Sequence, residues 1–360
     1  MSKKVTFKEV AALAGVSTQT VSRVTNGGKG VEPKTLKKVQ EAIDKLGYVP
    51  NKGAQLLVQK KVKVLGIVTL KMSMEGAMNI VEGIRLESKK QDYSIAITVV
   101  EQQEENLDEA IRDLRSQQVA GIIINLGVSK HVAEALVTKH PQISFLFIDV
   151  PEDANVAQVS SNHQQGAQQI VQQHLIKQGY QKFALLNGPQ NSWAAELRKT
   201  TWENEIKRAE QEIILQSEGD WTAASGYVET TKMLLYPKKF TALLVSNDQM
   251  ALGALRACAE QQINVPAHMA VTGFDDTPDS AYYNPPLTTV KQNFLEIGKQ
   301  AVSVLLNQIN DKGSFEKKQI DLEFIERQSS LKLDNTTNTT EEIKTLLQKI
   351  QGLLPNISET

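Results

Sequence analysis

The chain contains one cysteine, Cys258, among its 360 residues, so it can form no intrachain disulfide and has no CxxC-type metal site. The simplest interpretation of Cys258 is a small hydrophobic residue buried on a helix. No apolar run approaches the roughly 18 residues of a membrane-spanning helix. The first fifteen residues, MSKKVTFKEVAALAG, also lack the apolar core of a signal peptide. We therefore expect a cytoplasmic protein without a disulfide or a metal centre.

The balance of residue types is that of a folded globular chain. Hydrophobic residues make up 41% of the sequence and charged residues 22%, which excludes a disordered or collagen-like protein. At roughly 150 residues per domain, the length predicts two or three domains.

Charge is distributed unevenly along the chain. Residues 1–61 contain 12 lysines and arginines against 4 acidic residues, and the remainder contains 28 against 37. The formal charges of the two parts are therefore +8 and −9. A compact basic head suits binding to a polyanion. The alternative is a head whose charge only keeps it soluble.

The first predicted helix begins at Thr6-Phe7-Lys8-Glu9, which has the pattern of a capping box. Its apolar positions fall on one face of the helix: Val10, Leu13 and Ala14. Gly15 is expected to end the helix, because glycine readily adopts the left-handed conformation of a C-terminal cap.

The segment GVSTQTVSRVTNG, residues 15–27, predicts a second short helix capped by Ser17. Val21 and Val24 point back at the first helix, and polar residues face outward: Thr18, Gln19, Thr20, Ser22 and Arg23. Two short helices joined by a glycine-containing turn form a helix-turn-helix. Glutamine can pair with an adenine edge, arginine with guanine, and small hydroxyls with phosphates or bases. The alternative is an ordinary amphipathic surface helix.

A third helix is predicted from Pro33 to Leu46, with Gly47 as its C-cap. Asn51 can then cap a further helix of about eight residues, which is too short to be stable without a partner. An apolar cluster follows in this polar linker: Leu56, Leu57 and Val58. It predicts either a hydrophobic plug against the neighbouring domain or a wedge for the DNA minor groove that pairs with a second copy.

The segments VTFKEVAALAGVSTQTVSRVTN and YVPNKGAQLL resemble the DNA-binding head and hinge helix of the lactose/galactose repressor family. Both motifs occur in the family's order and spacing. The resemblance implies that Thr18, Gln19 and Arg23 read operator bases in the major groove. It also implies that Ser22 and Asn26 hold phosphate, and that Leu57 enters the minor groove at the centre of a palindrome.

From residue 62 onward, short apolar runs alternate with amphipathic stretches, which indicates parallel sheets flanked by helices. The runs are VKVLGIV, SIAITVV, VAGIIIN, ISFLFID, KFALLNG, FTALLVSND and MAVTGFDD. About 270 residues of this pattern predict an α/β body of two lobes.

Ligands of such folds bind at the carboxyl ends of strands. Polar residues follow several runs at this position: Asn125, Asp149, Asn247, Asp248, Asp275 and Asp276. Each suits a helix cap or a turn when taken singly. Together, planar amides and carboxylates suit the hydroxyls of a sugar, whose apolar side Trp221 can cover. Trp221 is equally compatible with a place in the core.

The family resemblance extends through LLNGPQNSWAAELRKTTW, EGDWTAASGY, TALLVSNDQMALGALRA and VTGFDDTPDSAYYNPPLTTVKQNF, and covers Val5 to about Leu333. It implies a two-lobed body like that of periplasmic binding proteins. It assigns the hydroxyls of a galactoside to four residues: Asp149, Arg198, Asn247 and Asp275. Trp221 would stack on the sugar, with Gln292 and Phe294 completing the cleft.

Near the aglycone, the resemblance implies an apolar wall of Met74, Ala77 and Ile80. The chain departs from the family pattern at this wall, and also at Ala194 and Ser161, where serine and phenylalanine are expected. These departures preserve the galactosyl end of the site and leave open what occupies the rest.

The C-terminal segment DNTTNTT reads as a polar linker, residues 334–340, before an amphipathic helix at residues 341–354. Apolar residues form a broad stripe on this helix: Ile343, Leu346, Leu347, Ile350, Leu353 and Leu354. Such a stripe is best buried in a four-helix cluster joining two dimers, as the resemblance also implies. The alternative is a tail docked on its own body.

The predicted organisation is thus a head (1–49), a hinge (50–61), a two-lobed effector and dimerisation body (62–333), a linker and a tetramerisation helix.

An enzyme is disfavoured, because no Gly-rich phosphate loop or GxSxG elbow occurs and the histidines lack the spacing of metal ligands. A secreted sugar-binding protein is disfavoured by the basic head. We therefore expect a homotetrameric repressor of a galactoside operon, needing no cofactor. The alternative effectors are another sugar, a sugar phosphate or a nucleotide.

Overall fold

The computed structural model describes residues 5–25, 30–48, 63–70, 75–100, 106–311, 315–332, 344 and 347–349. The chain divides into two compact units, Met1–Lys63 and Val64–Thr360. No helix within these described ranges is long and apolar enough to span a membrane.

The N-terminal unit contains three helices, α1 (Phe7–Ala14), α2 (Thr18–Thr25) and α3 (Pro33–Leu46). The capping box of α1 is confirmed, since Glu9 Oε2 accepts a hydrogen bond from the backbone N–H of Thr6 at 2.7 Å. Gly15 and Gly47 end α1 and α3 with φ of 67° and 60°, as predicted. The small core is closed by side chains from all three helices: Val10, Ala11, Ala14, Val21, Val39 and Ala42.

The prediction that Leu13 lies on the buried face of α1 is wrong. Its side chain is 46% exposed, whereas Val10, Ala11 and Ala14 are buried. The face of α1 that packs on α2 and α3 therefore runs through positions i, i+1 and i+4, and Leu13 lies outside it.

The first lobe of the body is built on a six-stranded parallel sheet with the order β11-β5-β4-β3-β1-β2. Its strands are β1 (Val64–Thr69), β2 (Ser94–Val99), β3 (Gly121–Asn125), β4 (Ser144–Ile148), β5 (Gln158–Ser161) and β11 (Lys317–Ile320). The segments that connect β1 to β4 contain three helices: α4 (Glu75–Lys90), α5 (Leu107–Ser116) and α6 (Lys130–Lys139). The central strands β1, β3 and β4 are nearly continuous apolar runs because both faces of the sheet are covered there.

The second lobe contains a four-stranded parallel sheet with the order β7-β6-β8-β9. Its strands are β6 (Lys182–Asn187), β7 (Glu212–Glu218), β8 (Ala242–Val245) and β9 (Ala270–Thr272). Its helices are α7 (His163–Gln168), which continues as a π-helix (Gln169–Leu175), α8 (Trp193–Arg208), α9 (Ala223–Leu234) and α10 (Asp248–Glu260). Cys258 is buried on α10, and burial raises the pKa of its thiol to about 12, which keeps it unreactive.

The chain passes between the lobes more than once. It leaves the first lobe after β5 and returns as α11 (Phe294–Asn310), whose Ile297, Ala301 and Val302 pack in the core of the first lobe. A two-stranded antiparallel ribbon joins β10 (Thr289–Lys291) to β12 (Glu323–Ile325). Short 3-10 turns occupy Ser280–Tyr282 and Gln328–Ser330.

The predicted fold class is confirmed, because each of the seven apolar runs contains a strand and the strands form two parallel sheets. The sequence analysis did not predict β5, β7 or the short strands β10 to β12.

In the C-terminal segment, Leu347 lies in a helix and is 51% exposed. The other residues of the predicted stripe lie outside the described residues: Ile343, Leu346, Ile350, Leu353 and Leu354.

Candidate functional sites

The outward face of α2 is the candidate DNA-reading surface. Thr18, Gln19 and Arg23 are exposed, whereas Val21 on the opposite face is fully buried. Ser17 caps the helix, since its Oγ accepts from the backbone N–H of Thr20 at 3.2 Å. Because Ser17 caps α2, Thr18 and Gln19 lie in the first turn of the helix. In helix-turn-helix complexes, residues at this end of the recognition helix contact base edges.

Thr20 and Ser22 are half-buried beside these residues, and Thr20 Oγ1 lies 2.9 Å from Ser17 Oγ. Thr20 is therefore engaged in the turn between the helices as well as lying near the reading face. Asn26, Asn51 and Leu57 were also predicted to contact DNA or form the hinge, and they lie outside the described residues.

In the body, a continuous row of polar side chains crosses from the first lobe to the second. Asp149 follows β4, His163 begins α7, and Arg198 lies in the second turn of α8. Asp149 Oδ1 lies 3.2 Å from His163 Nε2 and accepts from the backbone N–H of Ser161 at 3.2 Å. On the far side of the imidazole, Arg198 Nε donates to Nδ1 at 3.4 Å.

This arrangement fixes the protonation of His163. Burial lowers the pKa of the imidazole, against the raising influence of the Asp149 carboxylate. Because Nδ1 accepts from Arg198, the ring proton of the neutral form sits on Nε2 and is donated to Asp149. Burial disfavours charge on Asp149 too, but His163 and Arg198 hold the pKa of Asp149 below its usual value.

Arg198 connects the row to the second lobe. Its NH1 donates to the backbone carbonyl of Ser246, and its NH2 lies 3.8 Å from Asp275 Oδ1. The guanidinium carbon stands 3.8 Å from the ring centroid of Phe274 and 5.6 Å from that of Trp221. Arg198 is only 3% exposed, so these contacts set its position rigidly.

Asp275 ends the row. Burial raises the pKa of Asp275 to about 7, and the opposite charge of Arg198 works against that rise. Gln292 Nε2 donates to Asp275 Oδ1 at 2.6 Å, as expected for two residues of one cleft. The neighbouring Asp248 carboxylate, which Thr289 and Thr277 hold by hydrogen bonds, faces the same region.

Backbone strain concentrates in this cleft. Asp149, Trp221 and Asp275 have φ of 52°, 75° and 127°, in the region that normally favours glycine. Several other non-glycine residues with positive φ, such as Asp92 and Gln262, follow helix ends, where this conformation is an ordinary cap. Strained residues away from helix ends gather at ligand sites, where the surrounding structure enforces them.

Trp221 and Asn247 are tied together at the second lobe. The Trp221 ring packs directly on Gly188, where any β-carbon would collide with it. Asn247 Nδ2 donates to the Trp221 carbonyl at 3.1 Å, and its Oδ1 caps α10 by accepting from Met250 at 2.9 Å. The cap that we gave as the simple interpretation of Asn247 is therefore present, beside the position expected for a ligand contact.

The first lobe contributes the remaining predicted residues. Asn125 Nδ2 donates to Thr69 Oγ1 at 3.1 Å and to the Ala77 carbonyl at 3.2 Å. Phe294 packs against Gly76 at the start of α4. Ile80 is buried in the core of the first lobe, and Ala194 is half-buried in the first turn of α8. Met74 lies outside the described residues.

Buried hydroxyls without a hydrogen-bond partner lie at the carboxyl ends of strands in both lobes. Within the described chain they include Ser161 at the end of β5, Ser246 after β8, and Thr272 at the end of β9. Buried polar groups are normally hydrogen-bonded. Ser161 and Ser246 belong to the charged row through their backbone, since the Ser161 N–H donates to Asp149 and the Ser246 carbonyl accepts from Arg198.

His163 is the functional candidate that the strand-end rule missed. It lies two residues beyond β5, whose sequence QVSS is too short and polar to be recognised as an apolar run. Asn162, directly before it, caps α7 by accepting from Gln165. A polar strand end followed by a helix cap was the available signal.

Comparison with known proteins follows the same division of the chain. The model for bacterial regulatory proteins of the lacI family matches residues 6–51, and that for a periplasmic binding protein-like domain matches residues 172–330. The lactose operon repressor of Escherichia coli (strain K12) is 39% identical over 305 residues, 84% of each chain. The HTH-type transcriptional repressor PurR of Haemophilus influenzae (strain PittEE) is 30% identical over 85% of this chain and 92% of its own.

Among solved structures, the crystal structure of the lac repressor dimer bound to operator and the anti-inducer ONPF matches with a TM-score of 0.86 and 36% identity. The match covers 92% of this chain and all of that one (100%). The relatives thus include repressors whose names point to different effectors.

Proposed function

The chain belongs to the lacI family of bacterial regulatory proteins and is a DNA-binding transcriptional repressor, and from this premise we propose that a galactoside releases it from its operator. The observation that carries the proposal is the row Asp149–His163–Arg198–Asp275. It places a carboxylate from each lobe and a buried guanidinium around one cleft. Carboxylates and a guanidinium are the groups that bind pairs of adjacent sugar hydroxyls.

Each residue has a proposed role. Asp149, Arg198, Asn247 and Asp275 bond the hydroxyls of the galactosyl ring, and Trp221 covers its apolar face. Gln292 positions Asp275, while Asn125 and Phe294 close the first-lobe side. Near the aglycone the proposed wall comprises Met74, Ala77 and Ile80, and Ala194 contributes to the site from α8 of the second lobe.

The charges of the cleft favour a neutral ligand. Arg198 is attractive to an anion, but its guanidinium is already shared by His163, the Ser246 carbonyl and Asp275. A phosphate here would meet the carboxylate of Asp149, which is ionised at neutral pH because its pKa is lowered. This supports a neutral sugar over a sugar phosphate or a nucleotide.

On DNA, we propose that Thr18, Gln19 and Arg23 read bases in the major groove, with Thr20, Ser22 and Asn26 near the phosphates. Asn51 would cap the hinge helix and Leu57 would enter the minor groove. Two copies are required, because paired recognition helices lie one helical turn of DNA apart on a palindrome. The body exposes apolar side chains that a second copy would cover, among them Tyr282, which is 87% exposed.

Release follows from linkage between the two ligands. A sugar that bridges Asp149 of the first lobe and Asp275 of the second favours one arrangement of the lobes. If that arrangement separates the hinges, DNA affinity falls, and DNA must weaken sugar binding by the same factor. The C-terminal helix, with Leu347 and its apolar neighbours, would join two such dimers.

A sugar panel tests the effector. The change in Trp221 fluorescence on titration with lactose, allolactose, ribose and glucose 6-phosphate gives a Kd for each. We expect galactosides to bind with the lowest Kd, and the Asp275→Asn variant to lose this binding. Asp153→Asn is the matched control, since Asp153 is an exposed carboxylate paired with Lys130. Preference for ribose or for glucose 6-phosphate would contradict the galactoside assignment. It would leave the assignment as a transcriptional repressor unchanged.

A further inference from the structure

A second cavity lies beside the cleft, at the carboxyl ends of β6 and β7. Its volume is about 230 Å³, and it is lined by the loop after β6, one face of α8 and the last residues of β7. No lining residue belongs to the row of Asp149, His163, Arg198 and Asp275. The cavity is therefore distinct from the proposed galactoside site.

Asn187 lines this cavity and is only 7% exposed. Its Nδ2 donates to Gln216 Oε1 at 2.9 Å, and Gln216 Nε2 donates onward to Glu203 at 2.7 Å. This chain fixes the orientation of both amides. Asn187 Oδ1 has no hydrogen-bond partner in the described part of the chain, but it lies beneath the cavity surface and supplies no contact to a ligand.

The charged side chains that line the cavity can form more ion pairs and hydrogen bonds than they do. Lys199 is half-buried and forms no ion pair with any described residue. Glu218 Oε1 accepts from the backbone N–H of Gln190 at 3.1 Å, and Glu196 Oε1 accepts from Thr200 at 3.2 Å. Both carboxylates are exposed, and the second oxygen of each remains able to accept a hydrogen bond.

We propose that this cavity is a second carbohydrate site, which binds one neutral monosaccharide ring. The amides of Gln190 and Gln216, the two carboxylates and the Lys199 ammonium supply donors and acceptors for adjacent hydroxyls. The excess of carboxylates disfavours an anion. The volume is below the roughly 300 Å³ at which pockets for larger ligands begin, which limits the occupant to a small molecule.

The two sites share structural elements. Helix α8 carries Glu196 and Lys199 toward the cavity and Arg198 into the cleft, and Gly188 lies between the cavity and the Trp221 ring. Occupation of the cavity therefore alters the affinity of the cleft for its own sugar. This coupling rests on the proposed function of the cleft, whereas binding in the cavity does not.

The test is isothermal titration of the full-length protein with galactose and with glucose, because neither needs an aglycone. We expect the Asp275→Asn variant, whose cleft is inactivated, to retain one binding event per chain. Lys199→Met and Glu218→Gln should each weaken that event at least tenfold. Lys207→Met is the matched control, since it removes a lysine from the exposed end of α8. Circular dichroism checks that each variant is folded.

The outcomes separate this proposal from the proposed function. Absence of any binding in Asp275→Asn, or residual binding unaffected by both cavity variants, overturns the second site. Binding that disappears in Lys199→Met and is unchanged in Asp275→Asn supports the second site while contradicting the cleft assignment. Equal affinity of the cleft for a galactoside in wild type and Lys199→Met, at saturating glucose, overturns the coupling.

Discussion

Arg198 donates to Nδ1 of His163 at 3.4 Å, and the opposite nitrogen of the same ring lies 3.2 Å from the Asp149 carboxylate. A neutral imidazole thus connects a cation of the second lobe to an anion of the first. Because the ring is almost completely buried, neither nitrogen can exchange its partner for water. Three side chains in this way connect the two lobes.

The imidazole link predicts the behaviour of His163→Leu. Leucine keeps the volume but leaves Asp149 and Arg198 without their shared partner, and stranded buried charges cost several kcal/mol. We expect a lower melting temperature and at least a tenfold loss of galactoside affinity. The exposed His131 supplies the control His131→Leu, which should change neither quantity. Unaltered sugar affinity in a folded His163→Leu protein would show that the link does not support the site.

The raised pKa of Asp275, about 7, predicts a pH-dependent effector affinity. Sugar hydroxyls donate preferentially to the ionised carboxylate, so galactoside affinity should rise about tenfold between pH 6 and pH 8. The groups facing Asp275 are Arg198, Gln292, Asp248 and Glu75. Burial raises the pKa of Asp248 to about 6, so Asp248 is already half ionised at pH 6 and its titration overlaps only the lower part of this range.

The same shift predicts the opposite trend in folding stability. The native state holds the Asp275 proton up to about pH 7, whereas the unfolded chain releases it near pH 3.8, the ordinary pKa of an aspartate side chain. The contribution of Asp275 to the free energy of unfolding therefore declines as the pH rises from about 4 through 7. Calorimetric titration across pH measures the galactoside affinity of the wild-type protein. An affinity that stays constant between pH 6 and pH 8 would contradict the role given to the Asp275 carboxylate.

Arg23 is predicted to contribute to operator binding alone. Loss of a bidentate contact to guanine costs about 1–3 kcal/mol, so Arg23→Ala should raise the operator Kd about 5- to 150-fold while sugar affinity stays constant. Lys38, exposed on α3, provides a control variant that removes one positive charge from the same unit. Fluorescence anisotropy with a labelled duplex measures the operator Kd of both variants. A parallel loss of sugar binding would identify Arg23 as a structural residue.

The C-terminal helix is predicted to assemble dimers into tetramers. Truncation after Leu333 should halve the mass found by analytical ultracentrifugation and preserve binding to a single operator. If the truncated protein retains the mass of the full chain, the tail docks on its own body instead.

The body of the fold could be predicted because apolar runs reveal strands that are buried on both faces, and every such run became a strand. Strands with a polar or mixed sequence were missed: QVSS forms β5 only because β4 and β11 flank it in the sheet, a long-range pairing that periodicity cannot show. His163 was missed with β5. Asp149 and Asp275 were predicted from strand ends, whereas the raised pKa of Asp275 depends on burial that only the tertiary structure reveals.

In the proposed mechanism, sugar binding and operator binding oppose each other. A titration of a palindromic lactose-type operator duplex with the full-length protein, in the presence and absence of allolactose, measures this opposition. We expect operator binding that is tight without the sugar, weakened by it, and unaffected by the sugar in Asp275→Asn. Tight operator binding that is indifferent to allolactose in the wild-type protein would contradict this mechanism.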